Sequence, residues 1–199
     1  MNFELLVATN NAHKLKEIRK ILSPFHITVY GMNDLNIKIP EVEENGKTYY
    51  ENALIKANAL KEMTTMPIIA DDSGLEVVAM NNEPGIYSAR FADKFGGHTE
   101  AIKYILSQVE GKSREAHFKC CIVMVNVGDK PLKFEADIAG EIATHVEGEG
   151  GFGYDPIFVE NSSGKTYASM SEEEKNLLSH RGKALKKLLV YLTLNGLAY

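Results

Sequence analysis

Short apolar runs alternate along this chain with stretches whose apolar residues recur every three or four positions, and this alternation narrows the fold more than any single motif. Phe3 to Ala8 reads as a strand running into the polar turn Thr9-Asn10-Asn11. His13 to Leu22 then places Leu15, Ile18, Ile21 and Leu22 on one helical face, and His26 to Tyr30 reads as a second strand. Thr48 and Glu51 have capping-box spacing and open a helix expected to reach about Met63. Pro67 opens a buried strand, Ile68-Ile69-Ala70, expected to end at Asp71-Asp72-Ser73-Gly74. Thr99 to Val109 is a further helix, and Phe118 to Val127 a central strand. Leu132 to Ile142 alternates apolar with polar residues, as a strand with one wet face does. After a glycine-rich loop, Pro156 to Val159 is a short strand. Ser171 and Glu174 cap a helix expected to break near His180–Gly182, before a last helix from Lys183 to Leu194. Strands interleaved with helices predict an α/β fold.

The 199 residues suit one domain, or one domain with two lobes, and no repeat or linker divides them. Twenty-two Lys and Arg against 27 Asp and Glu leave a net charge of −5, which argues against general binding to a nucleic-acid backbone but not against one phosphorylated ligand. Cys120 and Cys121 are adjacent within an apolar run, so they form neither a Cys-x-x-Cys redox pair nor a zinc knuckle. They read as buried strand residues in a reducing compartment. No apolar stretch reaches about 18 residues, and the start lacks the marks of a signal peptide, so the expectation is a cytoplasmic protein without a membrane span.

Four segments carry residues suited to chemistry. In Thr9-Asn10-Asn11-Ala12-His13-Lys14, a helix N-terminus offers unpaired N–H groups and partial positive charge to a phosphate, and Lys14 adds a full charge. Asp71 and Asp72 follow a buried strand, where α/β sheets present ligand sites, and Glu41, Glu43 and Glu44 lie in a loop that could reach them. Carboxylates that meet in this way repel unless a cation joins them; Mg²⁺ suits them, leaving one carboxylate to deprotonate water. In Gly148-Glu149-Gly150-Gly151-Phe152-Gly153-Tyr154-Asp155, Phe152 could stack on a planar ligand and Asp155 could accept from a ring N–H. Ser179-His180-Arg181-Gly182, with Lys175 before it, offers donors to carbonyl acceptors. Gly164-Lys165-Thr166 only mimics a P-loop ending, since Val159 stands where that pattern needs glycine.

In this order, six segments together resemble the inosine triphosphate pyrophosphatase family, the Ham1-like proteins. They are Thr9-Asn10-Asn11-x-x-Lys14-x-x-Glu17, Glu51-Asn52-Ala53-x-x-Lys56-Ala57, Ala70-Asp71-Asp72-Ser73-Gly74-Leu75, Pro84-Gly85-Ile86-Tyr87-Ser88-Ala89-Arg90, Gly151-Phe152-Gly153-Tyr154-Asp155-Pro156-Ile157-Phe158 and Ser179-His180-Arg181-Gly182-x-Ala184-Leu185. The resemblance spans nearly the whole chain, residues 1–199 as a single domain. It implies a two-lobed α/β protein with a long central mixed sheet flanked by helices and an active-site cleft between the lobes. It also implies a homodimer. The implied reaction is Mg²⁺-dependent hydrolysis of ITP, dITP and XTP to the monophosphate and pyrophosphate, clearing deaminated purines from the nucleotide pool. On this chain, Thr9, Asn10, Asn11, Ala12, His13 and Lys14 would hold the triphosphate, with Lys56 near it. Glu43 would bind Mg²⁺, with Glu44 the neighbouring candidate. Asp72 would be the base that activates water, touching the metal as well. Ser73 would contact substrate, Phe152 would stack on the purine, and Gly153, Tyr154 and Asp155 would complete its pocket. Lys175, His180 and Arg181 would contact the nucleotide and read its base.

Many family members read Thr-Gly-Asn where this chain has Thr9-Asn10-Asn11; Asn tolerates left-handed backbone, so the turn survives. Fixed donors at His180 and Arg181 would accept a 6-oxo purine and oppose a 6-amino one. Two other readings remain: a nucleotide-binding sensor without catalysis, which would need the Phe152 loop and the phosphate turn but neither Asp72 nor the acidic loop, and a pyrophosphatase for a modified pyrimidine or an ordinary triphosphate.

Overall fold

The computed structural model describes residues 3–38 and 42–198. One mixed sheet of eight strands is flanked by helices, with strand order β2-β1-β3-β5-β6-β7-β8 and β4 paired to β3. The strands are β1 (Phe3–Val7), β2 (Ile27–Gly31), β3 (Ile68–Val77), β4 (Glu83–Pro84), β5 (Glu115–Val125), β6 (Leu132–Ile142), β7 (Phe158–Glu160) and β8 (Lys165–Thr166). The helices are α1 (Ala12–Leu22), α2 (Tyr49–Asn58), α3 (Ser88–Lys94), α4 (His98–Gln108), α5 (Glu172–Leu178) and α6 (His180–Leu194). β1 runs parallel to β2 and β3, whereas β4, β7 and β8 pair antiparallel with their neighbours.

The chain forms two compact units. Unit one comprises Met1–Asp72, Cys120–Glu135 and Lys183–Tyr199; unit two comprises Ser73–Lys119 and Ala136–Gly182. The core of unit one joins Leu6 and Ala8 to Ala53, Ala57 and Leu60 of the α2 region, Ile68 and Ala70 of β3, and Cys121, Val123 and Val125 of β5. In unit two, Leu75, Val77, Ile105, Phe118, Ile142, Phe158 and Tyr167 pack together. Burying each large side chain contributes about 1.5–3 kcal/mol.

Capping sets several boundaries. Asn11 accepts hydrogen bonds from His13 N (3.0 Å) and Lys14 N (3.1 Å) and so starts α1. Thr48 accepts from Glu51 N at 3.1 Å, and the Glu51 carboxylate accepts from Lys47 N at 2.6 Å, fixing the approach to α2. The α-helix ends at Asn58 rather than near Met63. Beyond it the chain tightens into i→i+3 bonds, Leu60 N to Ala57 O and Met63 N to Leu60 O, which still bury Leu60.

β3 does not stop at Asp71: it continues through Asp72, Ser73 and Gly74 to Val77. No turn forms at the two aspartates, because Leu75 and Val77 carry the apolar pattern onward into the core of unit two. The helical break lies at Ser179, one residue ahead of the expected His180–Gly182. Ser179 leaves helical geometry (φ −72°, ψ 161°), and its hydroxyl accepts from Gly182 N at 3.2 Å. That cap starts α6 at His180 and puts His180 and Arg181 in its first turn. The alternation expected of residues 132–142 is fully present in the burial of β6.

Candidate active site

In unit one, α1, α2, β3 and the loop before α2 collect two lysines, an amide and three acids. Asp71 and Asp72 are buried on β3, only 2% and 6% exposed. Lys14, in the first turn of α1, reaches Asp71 Oδ1 at 3.2 Å. Lys56 stands 3.4 Å from Asp72 Oδ1 and 3.4 Å from Glu44 Oε2. Asn52 lies one helical turn before Lys56, and its amide donates to Asp72 Oδ2 at 3.4 Å. Asp72 thus has one donor on each oxygen.

These charges set one another's protonation. Burial raises the Asp72 carboxyl above its ordinary value; Lys56 and Lys14 oppose the rise, while Glu44 and Asp71 add to it. Burial acts against the charge on Lys56, but Asp72, Asp71 and Glu44 outweigh it and hold the ammonium above its ordinary value. The two shifts are not mirror images because burial penalises each ion separately.

The acidic loop resolves in favour of Glu44 as the neighbour of this cluster: it pairs with Lys56, whereas Glu43 is exposed. Glu41 lies outside the described residues. At the α1 turn Asn10, Asn11, Ala12 and His13 are exposed, with Thr9 and Lys14 half-buried. Two helix N–H groups expected to face a phosphate are taken by the Asn11 side chain, and Thr9 Oγ1 accepts from Asn11 N at 3.1 Å.

Mg²⁺ fits what is present in one respect: the donor set is oxygen only, crowded, and short of positive charge. Among the described residues no three His, Cys, Asp or Glu side chains could hold a metal by themselves. Mg²⁺ commonly binds through one or two carboxylates, with waters and substrate phosphates completing its shell, so Asp72 and a loop glutamate suffice.

Unit two holds the aromatic set. Phe152 and Gly153 are half-buried. Asp155 is 2% exposed, and its Oδ2 accepts from Phe152 N (2.8 Å) and Lys175 Nζ (2.6 Å). Gly151, at φ +69°, leaves room for this: a Cβ there would lie 2.0 Å from Asp155 Oδ2. Lys175 Nζ is 4.7 Å and the Arg181 guanidinium 5.7 Å from the centre of the Phe152 ring. Arg181, 1% exposed, also donates from Nη2 to Ser73 Oγ at 3.0 Å. His180 stacks on Phe118 with ring centres 4.2 Å apart and planes within 8°, and lies nearly parallel to Tyr167.

Two residues expected to contact substrate also hold the scaffold. Tyr154 is buried in the core of unit two, and its hydroxyl donates to Ser88 O at 2.7 Å; burial raises its pKa. Asp155, expected to accept from a ring N–H, holds Lys175 and the Phe152 backbone. Asp71, which the sequence reading gave no separate role, pairs with Lys14. The part of Asn52 was missed altogether; its signal was the four-residue spacing to Lys56 on a helix facing Asp72.

Cys120 and Cys121 are buried on β5 and form no disulfide, and burial pushes the Cys121 thiol up to about 12, far from reactivity. No described helix is long and apolar enough to cross a membrane.

The profile of the Ham1 family matches residues 5–191. A protein of Thermoanaerobacter sp. named dITP/XTP pyrophosphatase is 42% identical over 192 residues, covering 95% of this chain and 96% of that one. A Bacillus subtilis protein of the same name is 39% identical over 188 residues, 93% of this chain and 94% of its own. The solved structure of the Staphylococcus aureus Ham1 protein superposes with a TM-score of 0.84 at 38% identity, covering 96% of this chain and 99% of that one. Agreement of this extent in sequence and backbone, over almost every residue, makes the chain a member of the Ham1 family.

Proposed function

We propose that this chain is a nucleoside-triphosphate pyrophosphatase acting on ITP, dITP and XTP, with residues 1–199 as one functional domain. The observation that carries the reading is the environment of Asp72: a buried carboxyl raised by its surroundings and bracketed by Lys56 and Asn52. A carboxylate of raised pKa is a better base than an exposed one, as proton abstraction from water requires.

The reaction is attack of water on the α-phosphorus of the triphosphate. One O–P bond forms, the α–β anhydride breaks, and pyrophosphate leaves with the bridging oxygen. Asp72 takes the proton from the attacking water. Lys14 and Lys56 offset the substrate's negative charge, and positioning with electrostatics supplies most of the acceleration. Thr9, Asn10 and Asn11 offer side-chain hydrogen bonds to the phosphates, and Ala12 and His13 complete the turn. Asp72 with Glu44, or with Glu43 after a movement of its loop, would hold Mg²⁺, which when bound neutralises phosphate charge and orients the substrate oxygens.

In unit two, Phe152 offers its ring to the purine, beside Gly153. Lys175 carries a positive charge at that ring, held there by Asp155. Arg181 and His180 supply donors suited to a 6-oxo group, with Ser73 steadying Arg181. An amino group at that position would leave those donors facing another donor, and a site built on such groups discriminates strongly.

The test is turnover of ITP, XTP, dITP and ATP with and without Mg²⁺, identifying the leaving group. The expected result is pyrophosphate release from the first three nucleotides, dependent on Mg²⁺ and slow with ATP. Equal rates on ITP and ATP would overturn the account of base choice, and release of orthophosphate would overturn the reaction. The same reading includes a homodimer, tested by sedimentation at twice the 22.1 kDa chain mass, and a cytoplasmic location, tested by cell fractionation.

A further inference from the structure

Glu44 and Asp72 stand far apart in sequence, on a loop and on a strand, and neither element fixes the other. α2 is the part of unit one that touches both. Lys56 pairs with both acids. Asn52, fully buried, uses both ends of one amide: Oδ1 accepts from Gly46 N at 2.8 Å, and Nδ2 donates to Asp72 Oδ2 at 3.4 Å. The first bond settles the orientation of the second. Gly46 N–H can bond only to the oxygen of the amide, so the NH₂ must face Asp72. The loop fits closely here: a Cβ on Gly46 would lie 2.6 Å from Asn52 Oδ1 and 2.9 Å from Asn52 N. Glu51 adds a second anchor through Lys47 N at 2.6 Å.

We propose that Asn52 is a positioning residue of the reaction, its single buried amide setting the Glu44-bearing loop at a fixed distance from Asp72. The inference rests on the pyrophosphatase reading for its kinetic part alone. An exposed acidic loop without this tether would sample many positions, and a cation shared by loop and strand would find its two ligands together only part of the time. Binding is weakened by that fraction.

Asn52→Ala removes both bonds. Asn52→Asp keeps an acceptor for Gly46 N–H but turns an oxygen toward Asp72. Gly46→Ala pushes the loop away while leaving Asn52 on Asp72, and it stands in for Asn52→Ala should that variant fail to fold. Amide hydrogen exchange over residues 43–48 is measured without metal or nucleotide, alongside the Mg²⁺ dependence of ITP turnover. Loss of one such hydrogen bond is expected to speed exchange roughly tenfold in Asn52→Ala and Gly46→Ala, with a similar rise in the Mg²⁺ needed for half-maximal rate. KM for ITP at saturating Mg²⁺ should stay within about twofold, the ratio that separates positioning from substrate binding. Asn52→Asp should keep its protection yet lose kcat. Unchanged exchange in both tether variants would overturn the proposal, as would faster exchange with an unaltered Mg²⁺ requirement, which would make Asn52 merely structural. A wild-type protein that turns over no ITP would sink the pyrophosphatase reading and leave exchange to decide the tether alone.

Discussion

Asp72 of unit one and Glu160 of unit two are two buried carboxylates, 6% and 7% exposed, that end on opposite sides of their ordinary pKa values. Burial pushes both upward. At Glu160 the backbone and hydroxyl donors of Ser162 and Ser163 reverse the push, and the group ends below its ordinary value. At Asp72 two lysines do not suffice against burial and two neighbouring acids, so it ends above. Glu160 is a finished structural carboxylate. Asp72 keeps a burial penalty that Lys56 and Lys14 do not cancel. The same contrast extends to Asp155 beside Phe152, which accepts from the Phe152 backbone and from Lys175. The aromatic cluster of unit two is held by its own bonds, whereas the acidic cluster of unit one sets three acids against two lysines.

The largest effect should follow from removing the base. Asp72→Asn is expected to lower kcat about 10²–10⁴-fold with little change in KM, measured as pyrophosphate release from ITP. Near-normal turnover would take Asp72 out of the role and leave the raised pKa without a function. In unit two, Asp155→Asn should act on stability first. Its partner Lys175 has a side chain only 6% exposed and would be left as a buried charge. Breaking such a pair costs about 3–5 kcal/mol, and Tm should fall by on the order of 10 °C. A variant with wild-type Tm but altered base preference would make substrate contact, and not the hold on Lys175, the main part of Asp155.

The contrast also marks what the sequence could show. Periodicity and capping residues revealed α1, the start of α2, α4, the start of α5 and the wet face of β6, because those signals are local. The continuation of β3 through Asp71 and Asp72 was hidden: two adjacent carboxylates followed by Ser-Gly look like a turn, and only tertiary packing of Leu75 and Val77 extends the strand. The candidate residues of both units were legible as types in order. Their roles were less so, because Tyr154 and Asp155 are committed to internal bonds that depend on Ser88 and Lys175, 66 and 20 residues away. The choice of Glu44 over Glu43 beside Lys56 likewise depends on how the loop is tied to α2.

A smaller effect should come from the aromatic ring. Phe152→Ala leaves Asp155 and Lys175 in place, since Asp155 is bonded to the backbone of residue 152 and not to its ring. Stacking on a base contributes ~1–3 kcal/mol, so KM for ITP should rise roughly 5- to 150-fold with kcat changed much less. A fall in kcat equal to that of Asp72→Asn, at unchanged KM, would mean that Phe152 acts on the reacting phosphate and would dissolve the division of labour.

The smallest effects should carry the comparison most directly, because they have opposite signs. A carboxyl raised in the folded state contributes stability that is present below its ordinary value, 3.8 for Asp72, and is lost as pH rises through the folded value. At pH 7 without Mg²⁺ its ionised form is therefore a cost, and Asp72→Asn should raise Tm while abolishing most activity. A carboxyl lowered in the folded state contributes stability that is present above its ordinary value, 4.5 for Glu160, and is lost as pH falls through the folded value. Glu160→Gln should therefore lower Tm at pH 7. Both differences should amount to a few degrees or less and shrink toward pH 3, where both carboxyls carry protons in the unfolded chain. Thermal scans of the metal-free protein between pH 3 and pH 8 read both curves. If the two variants shift Tm in the same direction at pH 7, the uncancelled penalty at Asp72 is not real, and unit one is as settled before substrate arrives as unit two.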